Sequence, residues 1–467
     1  MTSRTCEPPV PSLSGTVAKA SPAPKPHLYP SSLRRSAVFR VRVGGIPLDV
    51  LHHEAAHHAS FECGGPVEVE IEIEMTGSPQ PGTFFIRPLV LGIETTLSER
   101  RLHFTLPEPR NLQIEVAGQP LLYLYARPFA PATPTGPDVR VFETGRVHEA
   151  GLIHLREGET CWIEPGAVVR GSIRAYHVDG VRIGGYGILD GGYWVERGDG
   201  ERRKGIVLDH CTNARVDDIL MLGPCQWMLV LGACTDVSVH GLRQIASEMS
   251  SDGIDIVGSR KIRISGCCLH NGDDNIAVKS LSNTSRPDER LPLSPAIKPW
   301  TGTVEDVVVS DSVFYNINGG SAMEIGYETT TEVIRDIHFR NIDVLAVHEF
   351  GSVFGIHNGD RACVENVTWD TIRIEHHFDT LIDIRTLKSR WNTDPVRGHV
   401  RNVAIRNVRA LKSQHNDGYT VSIICGHDAA HPVTGVVFEN FELGGRHVAN
   451  ADDLDLVTRH AHDIVFR

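Results

Sequence analysis

Three carboxylates carry the most specific chemistry in this sequence. The stretch SSDGIDIVGSRKIRISGCCLHNGDDNIAVKS, residues 250–280, holds Asp252 and the adjacent pair Asp273 and Asp274, 21 residues further on. Like charges brought together repel, so at least one carboxyl of such a trio keeps its proton toward neutral pH. One residue type then supplies both an acid and a base. Inverting hydrolysis of a glycosidic bond needs that combination, an acid for the leaving oxygen and a base that activates water. Two other readings fit clustered aspartates: a calcium site, and turns that merely close a repeat.

A second motif competes for attention. His53, Glu54 and His57 in LHHEAAHH, residues 51–58, match H-E-x-x-H, the zinc-protease pattern, which requires both histidines on one helical face. Here the stretch lies between strand patterns, with GGIP before it and CGGP after it, and Cys63 stands where a third histidine ligand would be. The expectation is a loop or strand edge and no metal. The ten cysteines include no C-x-x-C, and they read as small buried hydrophobes.

The trio needs an element that brings residues 21 apart together. From about residue 150 a short β-forming triplet recurs: Val181–Ile183, Ala214–Val216, Val237–Val239, Ile262–Ile264, Val307–Val309, Ile337–Phe339, Val367–Trp369, Val403–Ile405, Val436–Phe438 and Ile464–Phe466. Steps run from 23 residues (214 to 237) to 45 (262 to 307), and Asn or Asp often flanks the triplet. Recurrence of this kind marks a solenoid. Helical periodicity and leucine-rich spacing are absent, so the chain reads as an all-β protein whose main body is a right-handed parallel β-helix of about ten coils. Coils stack about 4.8 Å apart, which puts Asp252 beside Asp273 and Asp274.

Before it, AVFRVRVGG and PVEVEIEIEM alternate with period two, and TFFIRPL, RLHFTL and NLQIEVAG add further strands. The predicted domains are a disordered Pro- and Ser-rich leader at 1–36, a small β-sandwich at 37–135, and the β-helix at 136–467. The leader lacks the apolar core of a signal peptide, so the expectation is a cytoplasmic protein.

With S-S-D-G-I-D, then G-D-D-N-I-A-V-K ending at Lys279, the chain resembles glycoside hydrolase family 28, the polygalacturonase family. IGGYGILDGGYW (183–194), GPCQWMLVL (223–231) and the N-terminal strands ending in LYLYARP are similar too, so the likeness covers most of residues 37–345. The resemblance implies a metal-free, cofactor-free inverting mechanism. Asp273 would be the general acid, and Asp252 and Asp274 would activate the water.

The sequence departs from that family where the sugar is bound. Instead of G-H-G it has Gly319-Gly320-Ser321-Ala322-Met323-Glu324-Ile325-Gly326, and instead of R-I-K it has SVFGIHN at 352–358, with Arg385 and Lys388 further on. A uronate site presents a cation for bidentate pairing. Glu324, Glu328 and His357 suit the hydroxyls of a neutral sugar instead, as in the related dextranase-type β-helices. The candidate sugar contacts are Trp227, Lys279, Glu324, Tyr327, Glu328, His357 and Arg385, with Trp194 and Trp300 as further rings. The insertion LSNTSRPDERLPLSPAIKPWTGT, residues 281–303, follows the acid pair directly and predicts a walled groove and exo action.

The expected partner is therefore a poly- or oligosaccharide. Galacturonan hydrolysis and a non-catalytic carbohydrate-binding β-helix are the rival readings. A balance of 46 basic to 58 acidic residues argues against nucleic acid. No apolar run is long enough for a membrane span.

Overall fold

The computed structural model describes residues 22–75, 79–80, 82–196, 203–281, 300–316, 318–348, 350–378, 380–412 and 421–467. The predicted parallel β-helix is present and right-handed: a sheet of 28 strands runs from Val139–Phe142 to Ala461–Phe466, nearly all paired in parallel with the strand one coil away.

The ten triplets form one stacked column. Their third residues pair in unbroken register: Ile183, Val216, Val239, Ile264, Val309, Phe339, Trp369, Ile405, Phe438 and Phe466. The Asn and Asp beside them have a conformational reason. The residue before every triplet has positive φ: Gly180, Asn213, Asp236, Lys261, Asp306, Asp336, Asn366, Asn402, Gly435 and Asp463. Glycine, asparagine and aspartate tolerate that left-handed corner best. The corners also bond along the axis, Asn366 donating to Asp336 Oδ1 at 2.9 Å and Asn402 to Asn366 Oδ1 at 2.5 Å.

A second column faces the groove. The strands Ile254–Val257, Ile276–Ser280, Met323–Thr329, Ser352–Asn358 and Thr380–Thr386 stack in turn. Their alternation sends Ile254, Ile256, Ile276, Val278, Met323, Ile325, Phe354 and Ile356 into the apolar interior. The residues between them point outward, and these build the site.

The N-terminal unit is the predicted sandwich of two five-stranded sheets. Val41, Ile71 and Phe104 of one pack on Phe61, Ile114 and Leu124 of the other. Its strands begin earlier than expected. Lys25–Pro26 pairs with His57–Glu62, and Tyr29 is buried, so residues 22–36 belong to the sandwich and not to a loose leader. Residues 1–21 of that leader lie outside the described residues. The last sandwich strand ends at Arg127.

The H-E-x-x-H stretch forms loop and strand. His57 opens the strand His57–Glu62, with Nδ1 on Ser36 Oγ at 2.8 Å and Nε2 on His52 Nδ1 at 3.0 Å. His53 reaches Gly223 O at 3.1 Å. The two histidines share no helical face. Among the described residues no helix is long and apolar enough to cross a membrane.

Sandwich and β-helix join through a face rich in buried polar groups. Tyr123 and Tyr125 pack on Ile188, Leu220, Ile245 and Cys268, and the Tyr123 hydroxyl lies 3.1 Å from His270 Nδ1. Burial holds His27 at about 4 and His58 and His270 at about 3. A histidine that stays neutral in the fold, but takes a proton at 6.5 when unfolded, withdraws stability as pH falls below 6.5. His58 has no hydrogen-bond partner for either ring nitrogen among the described residues. Thus His58→Met should lose less melting temperature between pH 7 and pH 5 than the wild type, read by circular dichroism. An equal loss would discard His58 as a source of acid lability.

Candidate active site

Asp252 precedes the strand Ile254–Val257, and Asp273 and Asp274 precede the next strand of that column, Ile276–Ser280. Stacking of these turns is fixed by backbone bonds, Gly253 N to Asp274 O at 2.8 Å and Ile254 N to Asn275 O at 3.0 Å. A buried amide network reinforces it. Asn275 donates to Asn271 Oδ1 at 2.9 Å, Asn271 to Gln244 Oε1 at 3.0 Å, and Gln244 to Gly253 O at 2.9 Å. Gly253 must be glycine here, because a Cβ would lie 2.4 Å from Asn275 O and 2.6 Å from Asn271 Oδ1.

As the spacing predicts, the trio comes together. One carboxylate oxygen from each of Asp252, Asp273 and Asp274 lies within 4.8 Å of the others. Asp273 is half-buried, and the other two are buried. Asp273 accepts from Ser250 N at 2.9 Å and from Asp274 N at 3.1 Å. Burial first, and then the charge of Asp252, raise its carboxyl to about 7. Asp274 is pushed well above the carboxylate range by burial and by Asp273, Glu324 and Asp252, although Ser321 N donates to its Oδ1 at 2.6 Å.

The family model for glycosyl hydrolases family 28 matches residues 162–455. The chain belongs to that family. Among its relatives, a polygalacturonase from Chamaecyparis obtusa is 33% identical over 82 residues, 17% of this chain and 16% of that one. A probable exopolygalacturonase C from Aspergillus terreus is 28% identical over 152 residues, 32% of this chain and 29% of that one. These alignments span less than a third of either relative. Among solved structures, Dex49A from Penicillium minioluteum superposes with a TM-score of 0.63 at 13% identity, covering 94% of this chain and 96% of that one. The family 28 exopolygalacturonase of Yersinia enterocolitica does so at 0.50 and 12%, covering 95% and 96%. At such identities the two structures speak for the fold.

Within this family 28 framework Lys279 is the cation of the trio. Its ammonium lies 2.7 Å from Asp252 Oδ2 and 2.9 Å from Asp255 Oδ1. Burial opposes its charge, but Asp252, Asp255, Glu328 and Asp274 outweigh that and hold its pKa well above the usual lysine value. The trio is the only group of three or more His, Cys, Asp or Glu among the described residues placed to hold a metal ion, and Lys279 already supplies a positive charge at that spot.

Trp227 departs from expectation. Predicted as a ring platform for sugar, it is only 5% exposed, and the ammonium groups of Lys204 and Lys279 lie 4.5 and 4.4 Å from its ring centre. The ring holds cations in place. Trp300 is buried too, donating to Asp209 Oδ1 at 2.9 Å. Trp194 donates to Ser172 Oγ at 2.8 Å, under Arg203. Of the insertion, residues 282–299 lie outside the described residues; Leu281 and Trp300 exchange backbone bonds of 3.2 and 3.0 Å at its base.

The remaining candidates cluster one to three coils beyond the trio. Glu324 and His357 are 1% and 4% exposed, below the groove surface and not on it as direct sugar contacts would be. Tyr327 is half-buried and stacks on His357 at 4.3 Å. Glu328 is buried near Lys279. Arg385 is half-exposed, and its fork closes on Asp383 at 2.5 and 2.6 Å. Asp255, Lys204, Asp383 and the Gln244–Asn271–Asn275 network were missed in the sequence. Asp255 stands inside the quoted S-S-D-G-I-D, and its alternation with Ile254 and Ile256 is the signal that places it outward.

Removing one partner of a buried ion pair leaves the other charges uncompensated, at a cost of about 3–5 kcal/mol. Lys279→Met should destabilise the protein by roughly that amount in urea unfolding. A change under about 1 kcal/mol would mean that the carboxylates hold their positions without it.

Proposed function

We propose that this protein hydrolyses an O-glycosidic bond of a poly- or oligosaccharide with inversion at the anomeric carbon. The observation that carries the reading is the convergence of Asp252, Asp273 and Asp274 within 4.8 Å. Asp273, the least buried of the three, is assigned as general acid; its pKa of about 7 keeps a proton available near neutrality. Asp252 and Asp274 are assigned to the water. Acceptor oxygens this close can both bond one water at ordinary hydrogen-bond lengths. In the reaction that water attacks the anomeric carbon and gives a proton to Asp252, the carboxylate paired with Lys279, while Asp274 helps to place the water. The bond from that carbon to the leaving oxygen breaks, and Asp273 protonates the leaving oxygen. Solvent then resets both carboxyls.

A neutral glycan is the substrate class we infer. Three cations of the site are paired within the fold: Arg385 with Asp383, Lys279 with Asp252 and Asp255, and His357 with Glu324 and Asp383. A uronate carboxylate would have to displace Asp383 from Arg385 to gain the usual forked pair, whereas neutral hydroxyls need no cation. Galacturonan, which the names of the relatives indicate for those proteins, is the alternative.

The test is an activity screen of wild type and Asp273→Asn on galacturonan, dextran, other neutral glucans and short oligosaccharides. Wild type should release sugar, faster from a neutral glycan than from galacturonan and unaffected by EDTA. Asp273→Asn should be slower by about 100-fold or more, and proton NMR should show the inverted anomer first. Retained configuration, or an Asp273→Asn variant near wild-type rate, would overturn the mechanism. Galacturonan as the faster substrate would overturn the neutral-glycan inference. Short products from the outset support exo action, and products of random length exclude it.

A further inference from the structure

Beyond the trio lies a buried charged set that the proposed chemistry does not use. Glu324 stands one coil beyond Ala277 on the groove column, with Gly355 one coil further and Asp383 after that. Its Oε1 lies 2.7 Å from His357 Nδ1, and Nε2 of that ring lies 3.1 Å from Asp383 Oδ2. Arg385 Nη2 also lies 3.3 Å from Nε2, but a carboxylate at each nitrogen favours the ring with both protons. Burial works against that charge, but Glu324 and Asp383 overcome it and raise His357 to about 9. Tyr327 covers the ring face, 4.3 Å away and within 4° of parallel.

The second oxygen of Glu324 lies over Gly355, on the coil after. Oε2 is buried with no hydrogen-bond partner among the described residues. It occupies space left by Gly355, where a Cβ would lie 2.1 Å from it and 3.0 Å from Ser321 Oγ. Ser321 is the residue whose amide holds Asp274, so Glu324 Oε2 and Asp274 flank the same serine. The charged and titratable groups around Glu324 are Tyr327 and Glu328 on its own strand, and Asp273, Asp274 and Lys279 from the coil before. Asp252 and Asp255 lie two coils back, and His357, Asp383 and Arg385 on the coils after. Lys279 serves Asp252 and Asp255, and His357 serves Glu324 and Asp383. Among the described residues no Lys, Arg or His forms an ion pair with Asp273 or Asp274.

We propose that Glu324 is a positioning residue of the acid/base trio: its charge, fixed by His357 and Asp383, keeps a proton on the Asp273–Asp274 pair. The inference rests on the acid/base reading above and extends it to a residue that touches no substrate. In family terms, a buried Glu–His–Asp set here stands in the region where the G-H-G and R-I-K signatures are missing.

The experiment is a carbon NMR titration of protein labelled at the aspartate carboxyl carbon. Wild type should show a carboxyl titrating near pH 7 that disappears in Asp273→Asn. In Glu324→Gln the midpoint should fall by about one pH unit or more, the scale of a lost like-charge neighbour. Gly355→Ala should move it too, because the added methyl displaces the Glu324 carboxylate without removing any charge. Glu324→Asp, which retains the charge, should stay closer to wild type. An unmoved midpoint in folded Glu324→Gln, or equal shifts in Glu324→Gln and Glu324→Asp, would overturn the proposal. The titration needs no substrate, so the glycosidase reading can fail in its own screen while this midpoint is still decided. Where a substrate is found, the alkaline limb of kcat/KM should move with the NMR midpoint and KM should not.

Discussion

The site rests on one constraint, the stacking of coils about 4.8 Å apart. Residues far apart in sequence are forced into contact, whatever their charge. Asp252 meets Asp273 and Asp274 because their turns are neighbouring rungs, not because carboxylates attract. The fold must then neutralise what the register brings together. It does so with Lys279 at Asp252 and Asp255 and, further along the column, with His357 between Glu324 and Asp383. The Asp273–Asp274 pair has no ion-pair partner among the described residues, and burial together with the neighbouring carboxylates raises both carboxyls above the usual range.

Much of this was legible in the sequence because a solenoid writes its geometry as repetition. The ten triplets fall in one column without a slip, and the 21-residue spacing of the aspartates places them in contact. What stayed hidden depends on side-chain direction across coils of unequal length. Trp227 precedes Asp252 by 25 residues, a plausible coil, yet it lies beneath Lys204 and Lys279. Asp255 was in plain view, but its burial against Lys279 depends on which strand residues face outward. The link from Glu324 through His357 to Asp383 crosses three coils, and nothing local in the sequence joins them. The early start of the sandwich was hidden because the pairing of Lys25–Pro26 with His57–Glu62 is too short to leave a pattern.

The H-E-x-x-H stretch shows the opposite case, a motif without its geometry. Its letters satisfy a pattern, but the backbone there extends into a strand, and the ring nitrogens of His57 are used by Ser36 and His52. Spacing carries chemical meaning only on the element for which the spacing was defined. The aspartate motif met that condition on a β-helix, and the histidine motif did not meet it in a sandwich.

The left-handed corners before the triplets have an evolutionary consequence. They close each coil by local conformation, reinforced at Asn366 and Asn402 by side-chain bonds to the preceding corner, so closure does not depend on how long the excursion elsewhere in the coil is. Twenty-three residues from Ala214 to Val237 and forty-five from Ile262 to Val307 return to the same seam. Loops around the groove are therefore free to change length and composition while the rungs stay aligned. Such a scaffold can vary the walls of its groove by drift in the loops, while the stacking of the coils keeps Asp252 beside Asp273 and Asp274.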